Sequence, residues 1–271
     1  MRKIVIMTLL ILSLSIMLAA CGTSKESNKS NSNDANTETD LLAKIKSDGK
    51  IVVGTEGTYP PFTYHDDKGE LTGFDVEIAK EVAKRLGVKA EFMETQWDAI
   101  FAGLDAKRFD MIANQVGINA ERKEKYSFSD PYISSSAVLI TRNDSKVKSF
   151  EDIKGLKSAQ SLTSNYGKLA KNYGAELVGV DGFNQAVELL NSKRVDVTIN
   201  DKLSFLDYKK QKPNAKIVIA DTADDVAQSG LMFRQKNDTL VDAVNKALKD
   251  MIDDGTYTKI SEKWFGEDVL K

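Results

Sequence analysis

The 271-residue chain is 41% hydrophobic and 29% charged, the balance of an ordinary soluble globular protein, and its length suits one large domain or two smaller ones. A formal charge of -2, with lysines and acids interspersed, leaves no basic surface to collect phosphates and excludes nucleic acid as a partner. One cysteine, Cys21, and one histidine, His65, exclude an intrachain disulfide and a zinc site of the usual Cys/His kind.

The N-terminus reads as a secretion signal. Arg2 and Lys3 form a short positive region, and Ile4 to Met17 an apolar run too short to span a bilayer of ~30 Å comfortably. Leu18-Ala19-Ala20-Cys21 resembles the lipobox of bacterial lipoproteins, in which small residues precede a cysteine that is acylated and becomes the new N-terminus. Residues 1–20 are therefore expected to be a signal peptide and Cys21 a lipidation site. From Gly22 to about Asp40 almost no apolar side chain occurs, so the segment cannot bury enough surface to offset its ordering entropy. Residues 21–40 are expected to act as a lipidated, flexible tether.

Strands and helices then alternate. Ile51-Val52-Val53 is a β-type run, and Phe74 to Leu86 carries apolar residues at helical spacing before a stop at Gly87. Before that helix, His65-Asp66-Asp67-Lys68-Gly69 is turn chemistry, so His65 is expected to be a solvated turn residue. Val88 to Met93 reads as a strand, Trp97 to Ala106 as a helix and Asp110 to Asn114 as a strand. This βαβ order predicts a parallel sheet. A second series begins at Ser149, which can cap Phe150-Glu151-Asp152. It continues through strand Lys157–Ala159, helix Ser164–Tyr173, strand Ala175–Val180, helix Gly182–Arg194 and strand Asp196–Asn200. Val226 to Arg234 is extended, and Asp238–Met251 and Thr256–Phe265 are helices expected to return to the first lobe.

The two series echo each other. Trp97, nine residues, then Lys107 to Asn114 matches Phe183, nine residues, then Lys193 to Asn200, at an offset of 86. Each copy is a helix, a tight Lys-Arg turn and a strand ending in Asn. Ligands sit at the carboxyl ends of parallel strands, so both lobes present equivalent strand ends.

Gly54 to Phe62, Gly73 to Ala79, Trp97-Asp98-Ala99-Ile100, Phe128 to Tyr132 and Asp254 to Tyr257 together resemble the polar amino acid-binding proteins of ABC transporters, from about Leu41 to the C-terminus. The resemblance implies an α/β, type II periplasmic-binding fold: two α/β lobes joined by two hinge strands, near Ser134–Thr141 and Ala227–Phe233. The expected partition is 41–135 for the first part of lobe one, 136–228 for lobe two and 229–271 for the return to lobe one. It further implies that Arg122 takes an α-carboxylate and Asp201 an α-ammonium. Glu56 and Tyr59 lie on the first loop, Trp97 forms an aromatic wall, Gly117 offers its backbone, and Thr163 and Ser164 supply donors at a helix start. A zwitterion entering a closed cleft loses two hydration shells, and a planar guanidinium opposed by a carboxylate replaces both with charge-assisted bonds.

Ala113-Asn114-Gln115-Val116 and Gln160 to Gly167 most resemble cystine-binding members. Asn114, Gln115 and Gln160 are expected among the ligand contacts, with binders of arginine, glutamine or histidine as alternatives. The implied partners are an ABC permease with its ATPase subunit and the membrane, through the lipid anchor; the chain is expected to be a monomer needing neither metal nor cofactor. The same fold hosts secreted dehydratases. Paired carboxylates, a Gly-x-Ser-x-Gly elbow and a metal cluster are absent from the sequence, and a dehydratase has no use for an α-ammonium partner such as Asp201.

Overall fold

The computed structural model describes residues 40–270. The expected signal peptide, Cys21 and most of the tether lie outside them. Two five-stranded sheets form separate lobes. In the first, the strand order is Lys89–Glu94, Lys50–Thr55, Met111–Ile112, Met232–Arg234, Tyr126–Phe128. In the second it is Glu176–Gly179, Lys157–Gln160, Val197–Asp201, Ile133–Arg142, Ile217–Ser229.

The expectation of parallel sheets is corrected to mixed ones. Paired strands linked by a crossover helix are parallel, whereas Met232–Arg234 pairs antiparallel with both neighbours. Ile133–Arg142 likewise runs antiparallel to Val197–Asp201 and to Ile217–Ser229. Chain that returns directly from the other lobe has no crossover helix to reverse it.

Both sheets are covered on two faces. In Ile133–Arg142, Val138 and Ile140 enter one core cluster while Leu139 enters the opposite one, following the two-residue period of a strand. Helix Phe74–Arg85 buries Phe74, Val76, Ile78, Ala79, Val82 and Ala83. It begins with Asp75 and Glu77 and ends with Lys84 and Arg85, which matches the helix dipole. Helix Asp238–Asp253 buries Leu240, Val244, Ala247, Leu248 and Met251 in the same core as Ile51, Val53 and Phe74. Full burial of each Leu, Val or Met is worth roughly 1.5–3 kcal/mol, so the C-terminal helices are tied to the first sheet.

The repeat is visible in the backbone. Lys107 and Lys193 both adopt left-handed dihedrals, φ 58° and 59°. Arg108 N donates to Gly103 O and Arg194 N to Leu189 O, each pair offset from the other by the repeat interval. Asp110 then accepts from Val52 N and Asp196 from Lys157 N, so each turn is stapled to the next strand by an equivalent carboxylate.

Two strands connect the lobes. Ile133–Arg142 and Ile217–Ser229 form one antiparallel ladder with register shifts between Ile219 and Asp221 and between Thr222 and Val226. Such bulges bend a strand and increase its twist locally. His65 is exposed, but it ends strand Thr63–His65 rather than lying in the turn that follows, and its Nδ1 lies 3.2 Å from Gly57 O. The sequence reading did not anticipate that three-stranded sheet, Thr58–Tyr59, Thr63–His65 and Leu71–Thr72, nor helices Leu41–Asp48 and Lys202–Gln211. Among the described residues no helix is long and apolar enough to cross a membrane.

Candidate ligand site in the cleft

The site is built from strand ends. Glu56 follows strand Lys50–Thr55, and Asn114 and Gln115 follow Met111–Ile112; in the other lobe Gln160 and Asp201 each end a strand. Ser164 caps helix Asn165–Asn172, its Oγ accepting from Gly167 N at 2.9 Å and donating to Ser161 O at 2.7 Å. Asp201 caps helix Lys202–Gln211 through Leu203 N at 2.8 Å.

A cavity lies between these ends. Glu56, Tyr59, Trp97, Asn114, Gln115, Gln160 and Ser164 line it, whereas Gly117, Arg122, Thr163 and Asp201 are not in its wall. Arg122 stands behind the wall. Its guanidinium lies 5.3 Å from the ring centroids of both Trp97 and Phe101, within cation–π range, and its Nη1 donates to Gly117 O at 2.8 Å. Burial pushes its pKa down, and among the described residues no carboxylate forms an ion pair with it.

Asp201 is fully buried. It accepts from Gln115 Nε2 at 2.7 Å, Ser135 Oγ at 2.9 Å, Leu203 N at 2.8 Å and the Tyr166 hydroxyl at 3.3 Å. Burial pushes its pKa up and these donors oppose the rise. The Tyr166 hydroxyl touches Asp201, and burial together with the Asp201 charge pushes the phenol's pKa up. The sequence marks Tyr166 only as part of the stretch Gln160 to Gly167 and Ser135 only as part of a hinge strand; each acts through a partner distant in the chain.

Glu56 accepts from Asn114 Nδ2 at 2.5 Å, while Asn114 Oδ1 accepts from Glu56 N at 2.7 Å. Burial pushes the Glu56 carboxyl up to about 7, only partly offset by Asn114 and the Trp97 backbone. No cation pairs with Glu56 or Asp201 among the described residues. The cleft thus holds one guanidinium without a carboxylate and two carboxylates without a cation.

Several bonds cross between the lobes. Tyr59 donates to Asn200 Oδ1 at 2.9 Å and Ser204 Oγ to Pro60 O at 3.2 Å. Thr163 meets Asp98 Oδ1 through its backbone N, 3.1 Å, and its hydroxyl, 2.6 Å, so Thr163 closes the mouth rather than lining the cavity. Glu121 pairs with Lys168 at the exposed rim.

The family described as bacterial extracellular solute-binding proteins, family 3, matches residues 51–267. A Bacillus subtilis protein named L-cystine-binding protein TcyA is 51% identical over 273 residues, covering 100% of both chains. An L-cystine solute receptor of Neisseria gonorrhoeae, solved in the unliganded open conformation, is 51% identical over 84% of this chain and 98% of its own, with a TM-score of 0.57. An ancestral arginine-binding protein bound to arginine is 39% identical over 80% of this chain and 98% of its own, yet its TM-score is 0.76. Residue pattern, two-lobed fold and full-length similarity agree, and the chain belongs to the bacterial extracellular solute-binding proteins, family 3.

Proposed function

We propose that this chain captures a polar amino acid, L-cystine by preference, outside the cytoplasm and delivers it to an ABC permease driven by its ATPase subunit. The observation that carries the reading is the set of unpaired charges on the two sides of one cleft: Arg122 on the first lobe and Asp201 on the second. A guanidinium left without an anion in a partly buried position is costly unless an anion arrives. The ligand's α-carboxylate is that anion, and Asp201 receives its α-ammonium. Glu56 then faces the second ammonium of cystine, while the amides of Gln160 and Asn165 and the N-terminus of helix Asn165–Asn172 meet the second carboxylate. The relatives named for L-cystine, each 51% identical, support this choice.

A second reading rests on the charge count. One free guanidinium and two free carboxylates also suit a cationic amino acid such as arginine, which brings one anionic and two cationic groups. Residues 41–135 and 229–271 are assigned to one lobe and 136–228 to the other, in a monomer held at the membrane through acylated Cys21. Capture requires closure, in which bending of Ile133–Arg142 and Ile217–Ser229 brings the lobes together. A dehydratase reading would require turnover of a prephenate-like substrate. Calorimetry with L-cystine, L-arginine, L-glutamine and L-histidine tests the proposal. Failure of every amino acid to bind more tightly than ~100 µM, roughly -5.5 kcal/mol, would overturn it.

A further inference from the structure

We infer that Asp75, outside the cavity wall, is a positioning residue: it fixes the backbone of Gln115 so that the Gln115 side chain can reach across the cleft to Asp201. The inference deepens the reading of the cleft as an amino acid site. Asp75 lies in the first turn of helix Phe74–Arg85 and is completely buried. A completely buried carboxylate among apolar neighbours such as Phe74 and Ile78 is expensive to fold, so its presence calls for a task.

The contacts of Asp75 indicate that task. Oδ2 accepts from the backbone N of Gln115 at 2.5 Å. Gln115 has φ 48°, a left-handed conformation uncommon in a residue with a side chain. Its carbonyl accepts from Ser229 Oγ at 3.3 Å, so its peptide groups are held from the helix on one side and from a hinge strand on the other. With the backbone fixed in this way, Nε2 donates to Asp201 at 2.7 Å.

The second carboxylate oxygen, Oδ1, is buried near the hydroxyl of Tyr132, and the interaction of Asp75 with that hydroxyl falls short of full hydrogen-bond geometry. Tyr132 immediately precedes the hinge strand Ile133–Arg142, and its backbone N donates to Ser229 O. Asp75 therefore stands where the cleft residue Gln115 and the roots of both hinge strands converge. Burial pushes its carboxyl up to about 7, and the charge of Asp201 adds to the rise.

The test is a double-mutant cycle on the full chain, titrated with L-cystine: wild type, Asp75→Ala, Gln115→Ala and the double variant. Asp75→Ala leaves Gln115 N without its acceptor. Each single change should weaken binding by about tenfold, and the double should be no weaker than the weaker single, because both remove the same cross-cleft bond. Wild-type affinity in Asp75→Ala, or losses that multiply in the double, would overturn the inference. If Asp75→Ala does not fold, Asp75→Leu, similar in size and equally without an acceptor, replaces it in the same cycle with the same two readings. A spectroscopic signature separates this inference from the proposed function. The Gln115 amide proton should resonate far downfield in ligand-free wild type and move upfield in the Asp75 variant. An unshifted resonance sinks the role of Asp75 whatever the ligand proves to be, whereas a shifted one with no L-cystine binding sinks only the choice of ligand.

Discussion

Gln115 and Asp201 stand 86 positions apart, the interval of the internal repeat, and share a 2.7 Å hydrogen bond across the cleft. The repeat has thus brought its own equivalent positions face to face. An amide in one copy and a carboxylate in the other make the meeting favourable; two carboxylates there would repel in a buried setting.

Replacing Arg122 by Ala should reduce affinity for L-cystine by about 100-fold or more while leaving the melting temperature nearly unchanged, since a charge-assisted bond contributes roughly 1.5–3 kcal/mol and two are lost. Arg122→Lys keeps the charge but loses the planar fork and the packing against Trp97 and Phe101, so its affinity should lie between. Calorimetry giving wild-type affinity for Arg122→Ala would remove this residue from the site.

Glu56→Gln tests the cation partner that both ligand readings assign to this carboxylate. Removing the carboxylate while keeping the bond to Asn114 should cost an arginine-like ligand its cation partner and cost L-cystine its second ammonium contact. A loss of about tenfold is expected for the true ligand. Competition with labelled L-cystine and labelled L-arginine reads the difference.

Without ligand, stability should fall as pH rises. Glu56 and Asp75 have carboxyls raised by burial to about 7, from 4.5 and 3.8. Folding raises both pKa values, so their contribution is fully present below about pH 4 and is lost as pH rises through 7. The loss is on the order of 3 kcal/mol at most for Glu56 and about 4 kcal/mol at most for Asp75. Thermal melts at pH 5 and pH 8 should show this drop, and Glu56→Gln should flatten part of it; identical pH slopes in both proteins would contradict the assignment for Glu56.

Asp98→Ala should act on release more than on capture. Asp98 receives both the backbone N and the hydroxyl of Thr163 at the exposed mouth, and loss of about 1 kcal/mol there would raise the ligand off-rate roughly fivefold with little change in the on-rate. Stopped-flow release measurements decide it.

Much of this architecture was legible in the chain. Buried helices and strands carry their periodicity, as in Phe74–Arg85, and the Lys-Arg turns carry the repeat. What escaped notice lacks a local signature. Helix Lys202–Gln211 has little segregation of apolar from polar residues, and its start is set by Asp201, read for its charge rather than as a cap. Residues at the strand ends, such as Glu56 and Gln160, line the cavity, yet Arg122 lies behind Trp97 and Thr163 at the mouth. Such placements depend on side-chain direction and on contacts between lobes, which spacing along the chain does not encode. Asp75 was read only as part of a motif, because its value comes from the backbone of Gln115, 40 residues away.

Both linking strands belong to one narrow ladder, Ile133–Arg142 against Ile217–Ser229. Two arms pivoting on a single seam behave like callipers: a small flexure at the seam becomes a large change of span at the far tips. A membrane complex that straddles both tips can therefore gauge whether the jaws are full by their width alone, without touching the solute inside.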